Sequence, residues 1–408
     1  MEFYTHTLEN GIRLIHQPVV SPVAHSGIII NTGSRDELEN EHGLAHFVEH
    51  LIFKGTTNRR AHHILSRMED VGGEINAYTT KEETCIHTIF FKNYYARTFE
   101  LLADIVFNST FPDKEILKEK EVIIDEINSY KDSPYEEIYD NFEELIFNIN
   151  PIARKILGTE QSLKTYTRSH LVDFYLHNYP TNEMVVASVS SVPYKKVLDC
   201  FIKYFSDKPF KTRTNPRLIY DFNIYSAVQQ KTEHDTYQAH CLIGNQAYNI
   251  NEEKRLVLHL LNNLLGGPGM NSRLNMTLRE KKGLAYNVES NYSTYSDTGI
   301  FHIYFGTDKK NLDNCIDLTF RELKKLREQS LGNVQLSRAK RQLIGQIAIA
   351  GENNENQMLS IGRSLLLFNR VDSLQEITEK IENITKDELL EVANEVFDRD
   401  KLSYLVYY

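Results

Sequence analysis

Gly43-Leu-Ala-His-Phe-Val-Glu-His-Leu-Ile-Phe-Lys-Gly55 places His46, Glu49 and His50 in an otherwise largely apolar run. Positions four apart share one face of a helix, so a helix over 43–54 presents the imidazoles of His46 and His50 to one metal ion, with Glu49 beside them. His42 extends the ladder, and His42 with His46 is a rival pair. It ranks lower because it sits at the helix start beside Gly43 and has no glutamate at the third following position. A catalytic zinc site needs three protein ligands and an open position, so a third donor has to come from elsewhere in the chain.

The stretch Glu115-Ile-Leu-Lys-Glu119-Lys-Glu-Val-Ile-Ile-Asp-Glu126-Ile127 is a strong helix former that offers such donors. Glu119 and Glu126, seven apart, fall on one helix face, with Ile116, Leu117, Ile123, Ile124 and Ile127 as packing residues around it. Acidic residues on an amphipathic helix usually form a solvated face. By spacing alone that reading stands ahead of a ligand role for Glu126.

The bulk properties are those of a globular protein. The chain has 408 residues, 41% hydrophobic and 25% charged, enough for two domains. With 46 basic against 56 acidic side chains the net charge is -10, which argues against general nucleic-acid binding and favours cationic partners. Cys85, Cys200, Cys241 and Cys315 are scattered with no C-x-x-C pair, so neither a disulfide framework nor a thiolate metal site is indicated. The first residues show no basic segment followed by an apolar core, and no apolar run is long enough to span a bilayer. These features predict a soluble, cytoplasmic protein with no membrane or nucleic-acid partner.

Along the chain, Asn10-Gly11 predicts a tight hairpin between strands 3–8 and 12–17. A buried strand follows at 23–32, then helices at 43–54 and 61–71, a break at Gly72-Gly73, and strands at 74–80 and 84–91. Helices are predicted at 94–108, 113–130 and 134–147, a helical region over 157–178, a strand at 184–189 and a helix at 193–205. Residues 206–216, with two prolines and little apolar content, read as a linker. The second half repeats the order: a strand at 236–244, helices at 252–265 and 271–281, and strands at 286–295 and 299–306. Helices at 312–329, 334–350, 356–367 and 386–397 and a strand at 401–407 complete it. With Gly55 set against Gly266, His46, Glu49 and His50 fall on Val257, Leu260 and Leu261, so only one copy carries the metal residues. The fold predicted is α+β: two homologous domains, 1–205 and 217–408, each a mainly antiparallel sheet with helices packed against it.

Over nearly its whole length the chain resembles the inverzincin peptidases, which carry His-x-x-Glu-His and include pitrilysin, insulin-degrading enzyme, the mitochondrial processing peptidase and small bacterial homologues. Besides the opening stretch, the resemblance rests on Gly72-Gly-Glu-Ile-Asn-Ala-Tyr-Thr-Thr80, Glu119-Lys-Glu-Val-Ile-Ile-Asp-Glu-Ile127 and Leu157-Gly-Thr159. In the second half it rests on Leu264-Leu-Gly-Gly267, Ser272-Arg-Leu274 and Leu278-Arg-Glu-Lys-Lys-Gly-Leu-Ala-Tyr286. That family's third ligand is a glutamate about 76 residues after the second histidine, where this chain has Glu126. The resemblance therefore implies one Zn2+ per chain, held by His46, His50 and Glu126. It also implies Glu49 as the general base acting on zinc-bound water, and Glu119 as an accessory acid.

Further implications concern substrate. Asn76 and Ala77 would lie on an exposed edge strand to which a peptide adds as a further strand, although a turn-ending role explains most Gly-Gly-x-x-Asn stretches. Arg279 and Tyr286, which alone say nothing, match the family's pair that grips substrate carbonyls. Pro268, in Gly266-Gly-Pro-Gly-Met-Asn-Ser272, departs from the plainer glycine run of relatives. A family chamber is built from four related domains, so two copies of this chain are expected, or one copy with a metal-free homologue. The expected activity is zinc endopeptidase action on small or unfolded peptides. The alternative is a noncatalytic peptide-binding or assembly subunit.

Overall fold

The computed structural model describes residues 2–221 and 225–408. It contains two sheets. The first joins β1 (Tyr4–Thr7), β2 (Arg13–Pro18), β3 (Val23–Ile30), β4 (Glu74–Thr79), β5 (Thr84–Phe91) and β6 (Met184–Ser190) in the order β1-β2-β6-β3-β5-β4. The second joins β7 (Gln229–Thr232), β8 (Ala239–Ala247), β9 (Ala285–Thr294), β10 (Gly299–Thr307) and β11 (Ser403–Tyr407) in the order β7-β11-β8-β10-β9. Each sheet is antiparallel except for one parallel pair, β2 with β6 and β7 with β11. Set β7 against β2 and the two orders are the same permutation, so the repeat read in the sequence is a repeat of topology.

The helices of the first half are α1 (Leu44–Leu51), α2 (Ala61–Glu69), α3 (Tyr95–Phe107), α4 (Asp113–Lys131), α5 (Pro134–Phe147), α6 (Glu160–Thr165), α7 (Arg168–Asn178) and α8 (Tyr194–Phe205). Those of the second are α9 (Lys254–Gly266), α10 (Leu312–Glu328), α11 (Asn333–Ala350), α12 (Asn354–Phe368), α13 (Leu374–Asn383) and α14 (Lys386–Val396). No described helix is long and apolar enough to cross a membrane.

The chain forms two compact units that do not follow its halves strictly. One comprises 1–128, 154–218 and 348–374; the other comprises 129–153, 219–347 and 375–408. In the first unit, Leu44, Phe47, Val48 and Leu51 of α1 pack with Phe99 of α3, Phe174 of α7 and Phe201 of α8 on one face of the sheet. The other face is covered by α12. Its Met358, Ile361 and Leu365 recur at helical spacing and meet Ile15, Val185, Ala187 and Val189. Gly362 belongs to that stripe because the helix lies close: a Cβ there would sit 2.5 Å from Ile29 Cδ1 and 2.9 Å from Ala187 Cβ. In the second unit α5, from the first half of the chain, plays the corresponding part, with Ile138, Phe142 and Ile146 against Leu242, Ile300 and Leu405. Each half of the sequence thus supplies one covering helix to the other half's sheet.

Several local expectations change. Around Asn10-Gly11 the turn is wider than two residues: Thr7 pairs with Arg13, and Leu8 N–H donates to the Ile12 carbonyl at 2.9 Å. The helical region 157–178 is two helices, with Tyr166-Thr167 between them. The expected helix at 271–281 is a π-helical turn, Asn275–Glu280. Residues 206–218 lie within the first unit, where Arg213 and Arg217 both bind Asp36 and Arg213 also binds Glu183. A segment that reads as a loose linker is therefore tied down by ion pairs.

Candidate metal centre

The helix α1 begins without a side-chain cap. Gly43 takes φ +95°, and its backbone meets that of Gly158, which takes φ +73°; a Cβ on Gly43 would lie 2.8 Å from Gly158 Cα. Two of the free N–H groups of the first turn go instead to Glu37, with Gly43 N donating to Oε2 at 3.0 Å and Ala45 N to Oε1 at 2.9 Å. Burial pushes the Glu37 carboxyl well above its ordinary pKa, against the lowering effect of these bonds. Arg154 ties the same loop through the Glu37 and Leu38 carbonyls, both at 2.9 Å. The helix is thus anchored at its start before any metal is considered.

From this helix His46 and His50 project together, with ring centroids 4.6 Å apart. Glu126 of α4 meets them: its Oε2 lies 3.8 Å from His46 Nε2 and 3.7 Å from His50 Nε2. Ligand atoms of His46, His50 and Glu126 all fall within 4.8 Å of one another, and these three are the group among the described residues that could hold a metal ion. The spacings exceed hydrogen-bond length and suit ligands about 2 Å from a shared ion. Burial, with His50 nearby, pushes the His46 pKa down to about 3, which leaves its ring neutral and its nitrogen lone pair available. Two imidazoles and one carboxylate are a donor set that zinc accepts, so the residues present fit the ion.

Glu119 with Lys54, and Glu49 with Thr79, stand around this cluster. Glu119 Oε2 lies 3.1 Å from His50 Nδ1, while its Oε1 lies 2.8 Å from Lys54 Nζ. The acidic face of α4 is therefore not a solvated one throughout: Glu119 is buried in a stripe with Ile116, Ile123 and Ile127. Glu49 is buried and does not enter the three-ligand group; Thr79 Oγ1 donates to its Oε2 at 2.8 Å. Burial raises the Glu49 pKa and Glu126 adds to the rise, opposed by the Thr79 hydrogen bond and by His50. His42 stays apart from the cluster, donating from Nε2 to the Lys155 carbonyl at 2.9 Å.

Asn76 and Ala77 lie on β4, which ends its sheet and pairs only with β5 among the described strands. Successive side chains point to opposite faces: Asn76 is exposed, while Ala77 packs against the core that includes α1. In the second unit, Arg279 stands on the π-helical turn and Tyr286 is the second residue of β9, 67% exposed. Gly283, between them, takes φ +60°. Thr79, Lys54 and Glu37 were not singled out from sequence. Lys54 carried a usable signal, being four residues after His50 in the helix predicted over 43–54, whereas Glu37 and Thr79 act through contacts that periodicity does not encode.

Comparison with known proteins adds an independent line. The family described as "Insulinase (Peptidase family M16)" matches residues 14–160, and "Peptidase M16 inactive domain" matches residues 165–343. The uncharacterized zinc protease YmxG of Bacillus subtilis is 32% identical over 401 residues, covering 97% of this chain and 96% of that protein. An uncharacterized zinc protease of Rickettsia felis is 32% identical over 409 residues, covering 99% of this chain and 97% of its own. Among solved structures, a protease from Helicobacter pylori superposes with TM-score 0.92 at 21% identity, covering 100% of this chain and 99% of that one. A protein from Pseudomonas fluorescens described as a peptidase M16 inactive domain superposes with TM-score 0.92 at 18% identity, covering 100% and 98%. These two structures bear on the fold. The "inactive" description falls on the half where the sequence alignment sets Val257, Leu260 and Leu261 against His46, Glu49 and His50. With matches over both halves and near-complete coverage by relatives, the chain belongs to peptidase family M16.

Proposed function

We propose that this protein is a zinc endopeptidase acting on small or unfolded peptides. The observation that carries the reading is that Glu126, distant in sequence, meets the neighbouring pair His46 and His50 in one small space beside a buried glutamate. A zinc ion held by these three would supply a Lewis acid that polarises the peptide carbonyl and activates water at neutral pH. Glu49 Oε1, the oxygen that Thr79 leaves free, takes a proton from the attacking water and returns it to the amine leaving group. Its raised pKa suits a base of this kind. A substrate segment lies along the free edge of β4 near Asn76 and Ala77, where main-chain hydrogen bonds hold it with little sequence demand. Arg279 and the Tyr286 phenol grip its carbonyl oxygens. Two copies enclose the peptide, and the partner subunit's Tyr286 serves each zinc site.

The test is metal analysis of the purified chain together with cleavage of a mixed peptide library before and after chelation. We expect about one zinc per chain, cleavage that chelation stops, and Glu49→Gln protein that keeps its zinc but does not cleave. Mixing Glu49→Gln with Tyr286→Phe chains is expected to restore part of the activity. Zinc-free protein without chelator-sensitive cleavage would return the chain to the noncatalytic peptide-binding or assembly reading.

A further inference from the structure

Lys54 is the one charged side chain of the opening stretch that the reaction above leaves without a part. It follows α1 in the closing turn, where its backbone N–H donates to the Leu51 carbonyl at 3.0 Å. It stands four residues after His50, in the turn that closes the helix, and both side chains reach the same carboxylate, Lys54 Nζ at Glu119 Oε1 and His50 Nδ1 at Oε2. A carboxylate turns readily about its last bond, since that torsion is broad and roughly two-fold. Dividing its two oxygens between two partners on one short segment removes the freedom. The Glu119 side chain is 8% exposed, so bulk water offers little competition for either oxygen.

The division has a consequence for the ring. With Oε2 accepting from Nδ1–H, the proton of a neutral His50 sits on Nδ1 and the lone pair on Nε2. Nε2 is the atom that faces Glu126 across 3.7 Å. We propose that Lys54 is a positioning residue for the metal centre: by holding Glu119 Oε1 it turns Oε2 toward His50 Nδ1 and so presents His50 Nε2 to the ion. The inference rests on the zinc-site reading above. An ordinary ion pair near the surface would touch fold stability slightly and leave metal affinity alone. What separates the two cases is that the other oxygen of this carboxylate is bonded to a ligand.

The experiment measures the zinc dissociation constant of the full chain by competition with a chromogenic chelator. It compares wild type, Lys54→Met, Lys54→Arg, Glu119→Gln and the Lys54→Met/Glu119→Gln double variant. Loss of an outer partner of a ligating histidine typically weakens metal binding about 10- to 100-fold, and we expect Lys54→Met near the lower end of that range. Lys54→Arg is expected to recover most of the loss. In the double variant Lys54→Met is expected to add little to Glu119→Gln, because the lysine acts through the glutamate. Lys54→Gln replaces Lys54→Met if the latter does not fold. Unchanged affinity in the neutral variant, or a loss that adds in full to that of Glu119→Gln, overturns the proposal. Wild-type protein that binds no zinc overturns the reading of the site itself, and the two failures are told apart by that control.

Discussion

Thr79 shows how much at this site is decided by single contacts between distant residues. Its hydroxyl donates to Glu49 Oε2, so the carboxylate proposed as the base has one oxygen committed to Thr79 and the other left for water. Thr79→Val, which keeps the shape and removes the hydroxyl, is expected to lower kcat about tenfold, the order of one hydrogen bond to a charged group. Zinc content should be unchanged, and Thr79→Ser should restore the rate; steady-state kinetics with metal analysis reads all three. At this scale the sequence was partly legible. His46 and His50 stand out by their four-residue spacing, with Glu49 beside them, but α4 is rich in acids and nothing in its spacing distinguishes Glu126 from a solvated neighbour. Only the resemblance singled it out, and the structure brings it within reach of the two imidazoles. Thr79 and Glu37 stayed hidden because their bonds cross between elements, from β4 to α1 and from a loop to a helix start.

Among the elements, α12 illustrates how a weakly patterned helix can be bound tightly. Its buried stripe includes a glycine, and that gap lets the helix settle onto Ile29 and Ala187. Gly362→Ala places a methyl group into both, and overpacking of this kind typically costs about 1–3 kcal/mol despite the better helix propensity of alanine. Urea unfolding of the variant against wild type measures it; an increase in stability would show that the helix can shift without loss. Elements with strong periodicity, such as α1, α8 and α10, were legible from the sequence. β7 was not, because Gln-Gln-Lys-Thr is polar and mostly exposed and owes its strand state to parallel pairing with β11. The repeat held the missing signal: since β2 pairs in parallel with β6, its counterpart was required beside β11. The π-helical turn carrying Arg279 has no such precursor in spacing.

For the molecule as a whole, two similar halves were legible, while the exchange of α5 and α12 was not, because an apolar stripe does not say which sheet it will cover. A fragment ending at residue 205 contains every proposed ligand but lacks α12, leaving Ile15, Val185, Ala187 and Val189 bare. Such a fragment is expected to bind a hydrophobic dye and to aggregate. A 1–205 fragment that is monomeric and protease-resistant would show that the covering helix is dispensable. The same connectivity sets an order of events at the ribosome. β6 is finished at Ser190, yet the helix that covers its outer face begins at Asn354. Roughly 160 residues separate them, on the order of 10–30 s of synthesis at about 5–20 residues per second. Throughout that interval the half bearing His46, His50 and Glu126 has an open hydrophobic flank. The nascent chain therefore completes the unit that carries His46, His50 and Glu126 only after most of its second half has been made.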